Sequence, residues 1–160
     1  PEYDWENDER DISYNKNVVG LTLREAVEVC FKKYFNFKDR ASRSEYWYFT
    51  LFGLIVYAIG FGLMFISYKL FWLLIVISIA LIIPFIAVTA RRLHDINKSG
   101  WFQLLSVPAG ILEAAFQAQK SLEILFMIIG WGCGIYLFIL YIQEGDKKHN
   151  RFGENPLKIK

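Results

Sequence analysis

Tyr46 to Tyr68 contains no charged residue for 23 positions. As a helix it would extend about 34 Å, enough to cross a hydrocarbon core about 30 Å thick. Phe71 to Val88 adds 18 uncharged positions, and Leu122 to Ile142 adds 21 that are apolar apart from Glu123 at their edge. Apolar residues gathered in long runs, rather than alternated, place the chain among integral membrane proteins. Composition agrees, with 54% hydrophobic and 18% aromatic residues. The expected fold class is all-α: a polytopic membrane protein of four transmembrane helices with an amphipathic N-terminal interfacial helix.

Three spans are read directly, near 46–68, 71–88 and 122–142. Trp101 to Leu112 is the weak segment: 12 uncharged residues reach only about 18 Å as α-helix, and Pro108 and Gly110 interrupt them. It is either a re-entrant hairpin or a full span over 101–118, continuing through Glu113. Charge decides the count. With four spans, all 18 Lys and Arg except Lys69 and Lys120 share one side with both termini. With three, the basic tail (Lys147, Lys148, Arg151, Lys158, Lys160) falls outside, against the positive-inside rule. The expectation is four crossings with cytoplasmic N- and C-termini. Pro84 should free a backbone carbonyl near Ala80, which neighbouring groups must then satisfy.

Residues 1–20 read as an acidic arm, either a solvated tail or a docking peptide. The lack of a basic n-region there implies that the first apolar run stays as an anchor. Residues 21–35 read as an amphipathic helix opened by a Thr22–Glu25 capping box, with Leu23, Val27, Cys30, Phe31 and Tyr34 on one face. Such a helix lies in the interface plane or packs on protein, and the sequence leaves both open. Ser42 and Glu45 have capping-box spacing before the first span, and Tyr46, Trp47 and Tyr48 suit the headgroup level. Residues 36–145 form the membrane domain and 146–160 a basic tail. Ala58-xxx-Gly62 and Gly130-xxx-Gly134 are read as helix-packing surfaces. Cys30 and Cys133 lack metal or redox spacing, and no disulfide is expected between them.

The polar residues gather beside the spans. Thr89-Ala-Arg-Arg-Leu-His-Asp-Ile-Asn-Lys-Ser-Gly-Trp101 reads as a polar loop returning the chain to the membrane. With both termini on its side, Arg40, Arg43, Glu45, Arg91, Arg92, His94, Asp95, Asn150 and Arg151 meet at one end. Three readings follow. Glu45, Asp95, Asn150 and Arg151 can form a structural network with the arginines, whose planar forks suit bidentate pairing with carboxylates. Arg40, Arg43, Arg91, Arg92 and His94 can instead receive an anionic ligand or lipid headgroup. His94 and Asp95 could serve proton transfer, but adjacent helical residues point about 100° apart. The structural reading is preferred. No catalytic residue, metal site or cofactor is assigned: two separated histidines make a poor ligand set, and nucleotide, hydrolase and zinc-peptidase motifs are absent. Glu113 is a functional candidate if it lies within the membrane.

Phe35-x-Phe37, Arg40-Ala-Ser-Arg43-x-Glu-Tyr-Trp47, Arg91-Arg-Leu-His-Asp95 with Ser99-Gly-Trp101, and Asn150-Arg-Phe-Gly153 before Pro156 resemble domain-of-unknown-function family 805 across residues 31–157. The resemblance implies a four-helix bacterial inner-membrane protein and carries over no catalytic residue. In that pattern Gly commonly occupies the places of Asp39 and Asn97. The change to Asn97 is mild, because Asn tolerates left-handed geometry. Asp39 brings a charge beside Arg40 that puts an anion pocket there in doubt. The functional expectation is a non-enzymatic membrane subunit or scaffold engaging membrane lipids and either a protein partner or further copies of itself, with no role for nucleic acid. The alternative is an anionic-lipid-binding protein or small transporter using the arginine–histidine site.

Overall fold

A computed structural model describes residues 20–67, 69–116 and 118–157. Most of the acidic arm lies outside the described residues. Those that are described fold into helices: α1 Leu23–Lys32, α2 Arg43–Met64, α3 Leu70–Asp95, a 3₁₀ helix Gly100–Ser106, α4 Val107–Ala115 and α5 Lys120–Ile142. Three of them, α2, α3 and α5, are long and apolar enough to cross a membrane.

The Thr22–Glu25 capping box opens α1: Thr22 Oγ1 accepts from Glu25 N and the Glu25 carboxylate accepts from Thr22 N at 2.8 Å. The face that α1 buries is centred on Ala26 and Cys30, both with no exposed surface, whereas Leu23 and Phe31 of the expected stripe remain exposed. Phe31 sets its edge against Phe49 and Phe52 of α2, at ring separations of 5.9 and 6.2 Å. The helix therefore packs on protein.

Two span boundaries differ from expectation. Helix α2 runs from Arg43 to Met64 rather than 46–68, its last turn tightening through Phe65 N to Gly62 O and Ile66 N to Leu63 O. Ser42 Oγ accepts from Glu45 N at 3.1 Å, but the Glu45 carboxylate turns away to Arg91. Helix α3 starts at Leu70 and does not stop at Val88; it continues to Asp95, so Thr89–Asp95 of the expected polar loop form its last two turns. The charges there are answered by protein groups, and a helix keeps its hydrogen bonds where such partners exist. It ends where Asn97 adopts φ 57°. Lys98 N then bonds Leu93 O at 2.9 Å and Asn97 N bonds His94 O at 3.0 Å, the two bonds of a Schellman cap.

The expected 101–118 span is a compound element. Pro108 lies in the first turn of α4, where its missing N–H has no intrahelical acceptor to lose, so it starts a helix instead of breaking one. Helix α4 runs antiparallel to α5: a Cβ on Gly130 would touch Ala109 at 3.7 Å, and the Phe116 and Phe126 rings are 5.6 Å apart. The core gathers at the polar end of the bundle, around Cys30, Phe49, Val88, Leu93, Leu137 and Leu140.

Candidate functional site: a buried arginine latch

The last two turns of α3 are enclosed on all sides. Every residue from Ala87 to Asp95 is buried, and Arg91 and Arg92 have no exposed surface. Four segments enclose them: the 36–42 loop, the start of α2, the end of α5 and the tail beyond it. Of the expected polar residues, Arg40, Glu45, Arg91, Arg92, His94, Asp95 and Asn150 are buried here, and their partners define what they do.

Asp95 is the centre. Its Oδ1 accepts from Arg40 Nε at 3.0 Å and its Oδ2 from Arg92 Nη1 at 2.5 Å. Each guanidinium then reaches onward. Arg40 directs its Nη atoms at the carbonyls of Lys148 (2.8 Å), Gly153 (3.2 Å), Asp146 and Asp95. Arg92 donates to Tyr141 O at 3.1 Å and to Gln143 O, carbonyls at the end of α5. The last carbonyls of a helix have no intrahelical donor and carry its negative dipole end, so a cation is stabilising there. One carboxylate thus clamps two arginines, one capping α5 and the other gripping the tail.

The other members extend this latch. Asn150 donates to His94 O at 2.9 Å and to the Asp146 carboxylate at 3.1 Å, and Asp146 N bonds Asp95 O at 2.8 Å. The His94 ring stacks on Phe152 at 3.8 Å, and its Nδ1 faces the carbonyls of Lys38 and Asp39 at 3.3 and 3.2 Å. Two acceptors opposite Nδ1 place the proton on that nitrogen. Arg151 lies outside the ring stack, 4.6 Å over Phe152, and donates to Asn97 O at 3.1 Å. Arg43 is exposed in the first turn of α2, apart from the buried cluster.

A second centre lies beside the first. Arg91 Nη1 pairs with Glu45, whose Oε1 is 3.8 Å from Cys30 Sγ, while Arg91 Nε and Nη2 have no protein acceptor. The Arg91 carbonyl receives Ala41 N at 3.0 Å, which ties the loop before α2 to α3. Burial, and then the Glu45 carboxylate, push the Cys30 thiol up to about 12. Asp39 does not load Arg40 with an extra charge. It pairs with Lys33 at 2.9 Å and accepts from Asn36, and the Lys33 hydrogen bond holds its carboxyl below the usual range.

This geometry suits a fastening. All five N–H groups of Arg40 are directed at protein acceptors, so a headgroup there would displace them. Among the described residues no three His, Cys, Asp or Glu side chains are placed to hold a metal ion. Both cysteines are free.

The small residues singled out for packing divide. Ala58 is exposed, and nothing lies within 4 Å of a Cβ placed on Gly62 or Gly134. Within one chain the close approach on α2 is made by Gly60, where a Cβ would sit 2.5 Å from Leu74 Cδ1. Of the Gly130–Gly134 pair, only Gly130 meets another helix. Sequence reasoning also missed Gly145, whose Cβ would overlap Asp95 Oδ2 and lie 2.5 Å from its Cγ. No composition or spacing signal marks that glycine. Phe152 was within the Asn-Arg-Phe-Gly motif but received no role.

The family model described as "Protein of unknown function (DUF805)" matches residues 34–154. Inner membrane protein YhaI of Escherichia coli (strain K12) is 33% identical over 127 residues, covering 78% of this chain and 89% of that protein. Inner membrane protein YhaH of the same organism is 31% identical over 133 residues, 78% of this chain and 90% of its own length. No solved structure gives a significant match. With a family match running from the α1–α2 loop through the tail latch, and two inner-membrane relatives beside it, the chain belongs to the DUF805 family.

Proposed function

We propose that the chain is a non-enzymatic scaffold of the inner membrane that crosses the bilayer four times with both termini cytoplasmic. Its outer faces engage partner helices or further copies of itself. The fourth crossing is the compound element. Its seven 3₁₀ residues and nine α residues give about 27 Å of rise, against about 24 Å for the same stretch as α-helix throughout. It also returns the chain to the far end, where α5 must start if its C-terminus is to reach Arg92. In this placement α1 sits in the cytoplasmic leaflet, with Leu23 and Phe31 toward lipid.

The observation that carries the scaffold reading is the open small-residue surface. Ala58, Gly62 and Gly134 face outward with no intrachain neighbour at the two glycines, and small residues let membrane helices approach closely. Arg40 and Arg92, by contrast, are engaged in closing the bundle.

Native mass spectrometry of the full chain, extracted from membranes into nanodiscs, tests this. Discrete multiples or a stoichiometric protein partner are expected. Gly62→Leu with Gly134→Leu should return the chain to monomer without unfolding it, since neither position has a neighbour to displace. A bare monomer from the unaltered chain would overturn the reading. Reporter fusions after Lys98 and after Lys120 flank the compound element and test the fourth crossing: they should report opposite sides, and the same side for both would overturn it.

A further inference from the structure

The α1–α2 connection, residues 32–39, is built more firmly than a surface loop needs to be. Asn36 Oδ1 accepts from Lys38 N at 3.0 Å, Asn36 N bonds Lys33 O at 3.0 Å, and Asp39 holds both Lys33 and Asn36 Nδ2. The loop is also tied to α3 at two depths. Tyr34 Oη donates to Ala80 O at 2.6 Å, and the Lys38 and Asp39 carbonyls meet His94 Nδ1. Around this frame lies an open cavity of about 570 Å³ lined by Lys32, Lys33, Tyr34, Phe35, Asn36, Phe37, Lys38 and Asp39.

Three cations and one anion line that cavity, and the anion is already matched to Lys33. Lys32 and Lys38 are exposed and make no ion pair among the described residues. Phe35 and Phe37 are 72% and 39% exposed on the same lining. Exposed rings beside uncompensated ammonium groups, pinned to the flank of an apolar helix, match the two halves of one ligand. A phosphodiester meets the lysines while acyl chains meet the rings.

We propose that the 32–39 loop is a headgroup site for an anionic phospholipid of the cytoplasmic leaflet, with Lys32 and Lys38 on the phosphate and Phe35 and Phe37 along the chains. This rests on the membrane placement of α3 proposed above, and it moves lipid recognition away from the buried arginines to residues that are free to make it. The internal Asn36–Asp39–Lys33 bonding fixes the loop beforehand, so little ordering is left for binding to supply.

The test is lipid retention by the full chain in nanodiscs of mixed phosphatidylglycerol and phosphatidylcholine, read by native mass spectrometry at increasing collision energy. The unaltered chain should retain phosphatidylglycerol selectively. With both ammonium groups removed from the phosphate, the Lys32→Ala/Lys38→Ala variant should lose that selectivity and retain the two lipids in the ratio of the bulk bilayer. Lys98→Ala with Lys147→Ala removes the same charge from exposed positions at the same end, and should leave retention unchanged. Equal loss in that control would mean diffuse attraction and would overturn the site. So would the absence of any anionic preference, or displacement of the lipid by millimolar glycerol phosphate. Resistance of the protein to carbonate extraction, measured on the same membranes, reports on the crossing helices separately from the loop.

Discussion

Tyr34 donates its hydroxyl hydrogen to the carbonyl of Ala80 at 2.6 Å, and Ala80 is the residue four places before Pro84. Proline has no N–H, so Ala80 is the carbonyl that its position in α3 orphans. In a bilayer water cannot take the missing place. Tyr34→Phe should therefore destabilise the folded protein by about 1–2 kcal/mol, the cost of leaving an acceptor unmatched. Pro84→Ala restores the intrahelical donor, so adding Tyr34→Phe to it should cost much less. Thermal or denaturant unfolding of the four proteins in nanodiscs measures the coupling. Additive effects would refute this account.

Gly145 and Asp95 are matched just as closely. Any side chain at 145 must push the Asp95 carboxylate off Arg40, Arg92 or both. Separating a buried ion pair costs about 3–5 kcal/mol, because a charge is left without a partner. Gly145→Ala should lose a comparable amount, and Asp95→Asn at least as much, with two guanidinium groups left to share a neutral amide. Limited proteolysis offers a direct readout: in both variants the tail beyond Gln143 should become cleavable while the helices stay protected. A resistant tail in Gly145→Ala would show that the latch tolerates the shift.

How much of this was legible depends on range. Uncharged runs, the Thr22–Glu25 box and the freed carbonyl at Ala80 are local consequences of spacing, and they were readable. The donor that reaches Ala80 lies 46 positions away and has no local signature. Charges between apolar runs usually mark a loop, and by that signal the RRLHD block reads as one. It stays helical because Tyr141, Gln143, Lys148 and Gly153, far along the chain, supply carbonyls to its arginines and to Arg40. Two antiparallel helices and a returning tail bring Glu45, Asp95 and their arginines to one end of the bundle. Which arginine meets which acceptor is not readable from spacing. The third segment was the least legible because its uncharged run stops at Leu112, whereas the helical element continues past Glu113 to Ala115 and takes 3₁₀ geometry in its first half.

Cys30 supplies a test of the packing of α1. Burial disfavours its thiolate, and the folded value of about 12 lies above the ordinary value of about 8.5. A raised value means that the neutral thiol is the form the fold favours. Its contribution is complete below the ordinary thiol range and is lost as pH rises from there toward about 12. In a Cys133→Ala background, maleimide at pH 8 should leave Cys30 unlabelled until the protein is denatured. Between pH 9 and 11 the unfolding midpoint of that protein should fall further than that of its Cys30→Ala derivative. Rapid labelling of the folded protein at pH 8 would mean that α1 does not stay packed on α2.

Asn97 closes α3 at φ 57°, in the left-handed region that costs most side chains about 1–2 kcal/mol and Asn less. Replacing it with Gly removes that cost from the folded state but adds freedom to the unfolded chain, worth about 0.4–1 kcal/mol in the other direction. The net effect of Asn97→Gly should be small, a gain within about 0.5 kcal/mol. Asn97→Val should lose clearly more than 1 kcal/mol, because a β-branched residue is strained at positive φ. The Lys98–Leu93 and Asn97–His94 bonds depend on this turn, and it also directs the chain into the 3₁₀ helix whose Gly100 lies against Ala90. The valine variant should thus loosen the start of that helix together with the end of α3. Amide exchange at Lys98 and Phe102, faster in Asn97→Val and unchanged in Asn97→Gly, is the expected pattern. Equal protection in both would separate the cap from the element it launches.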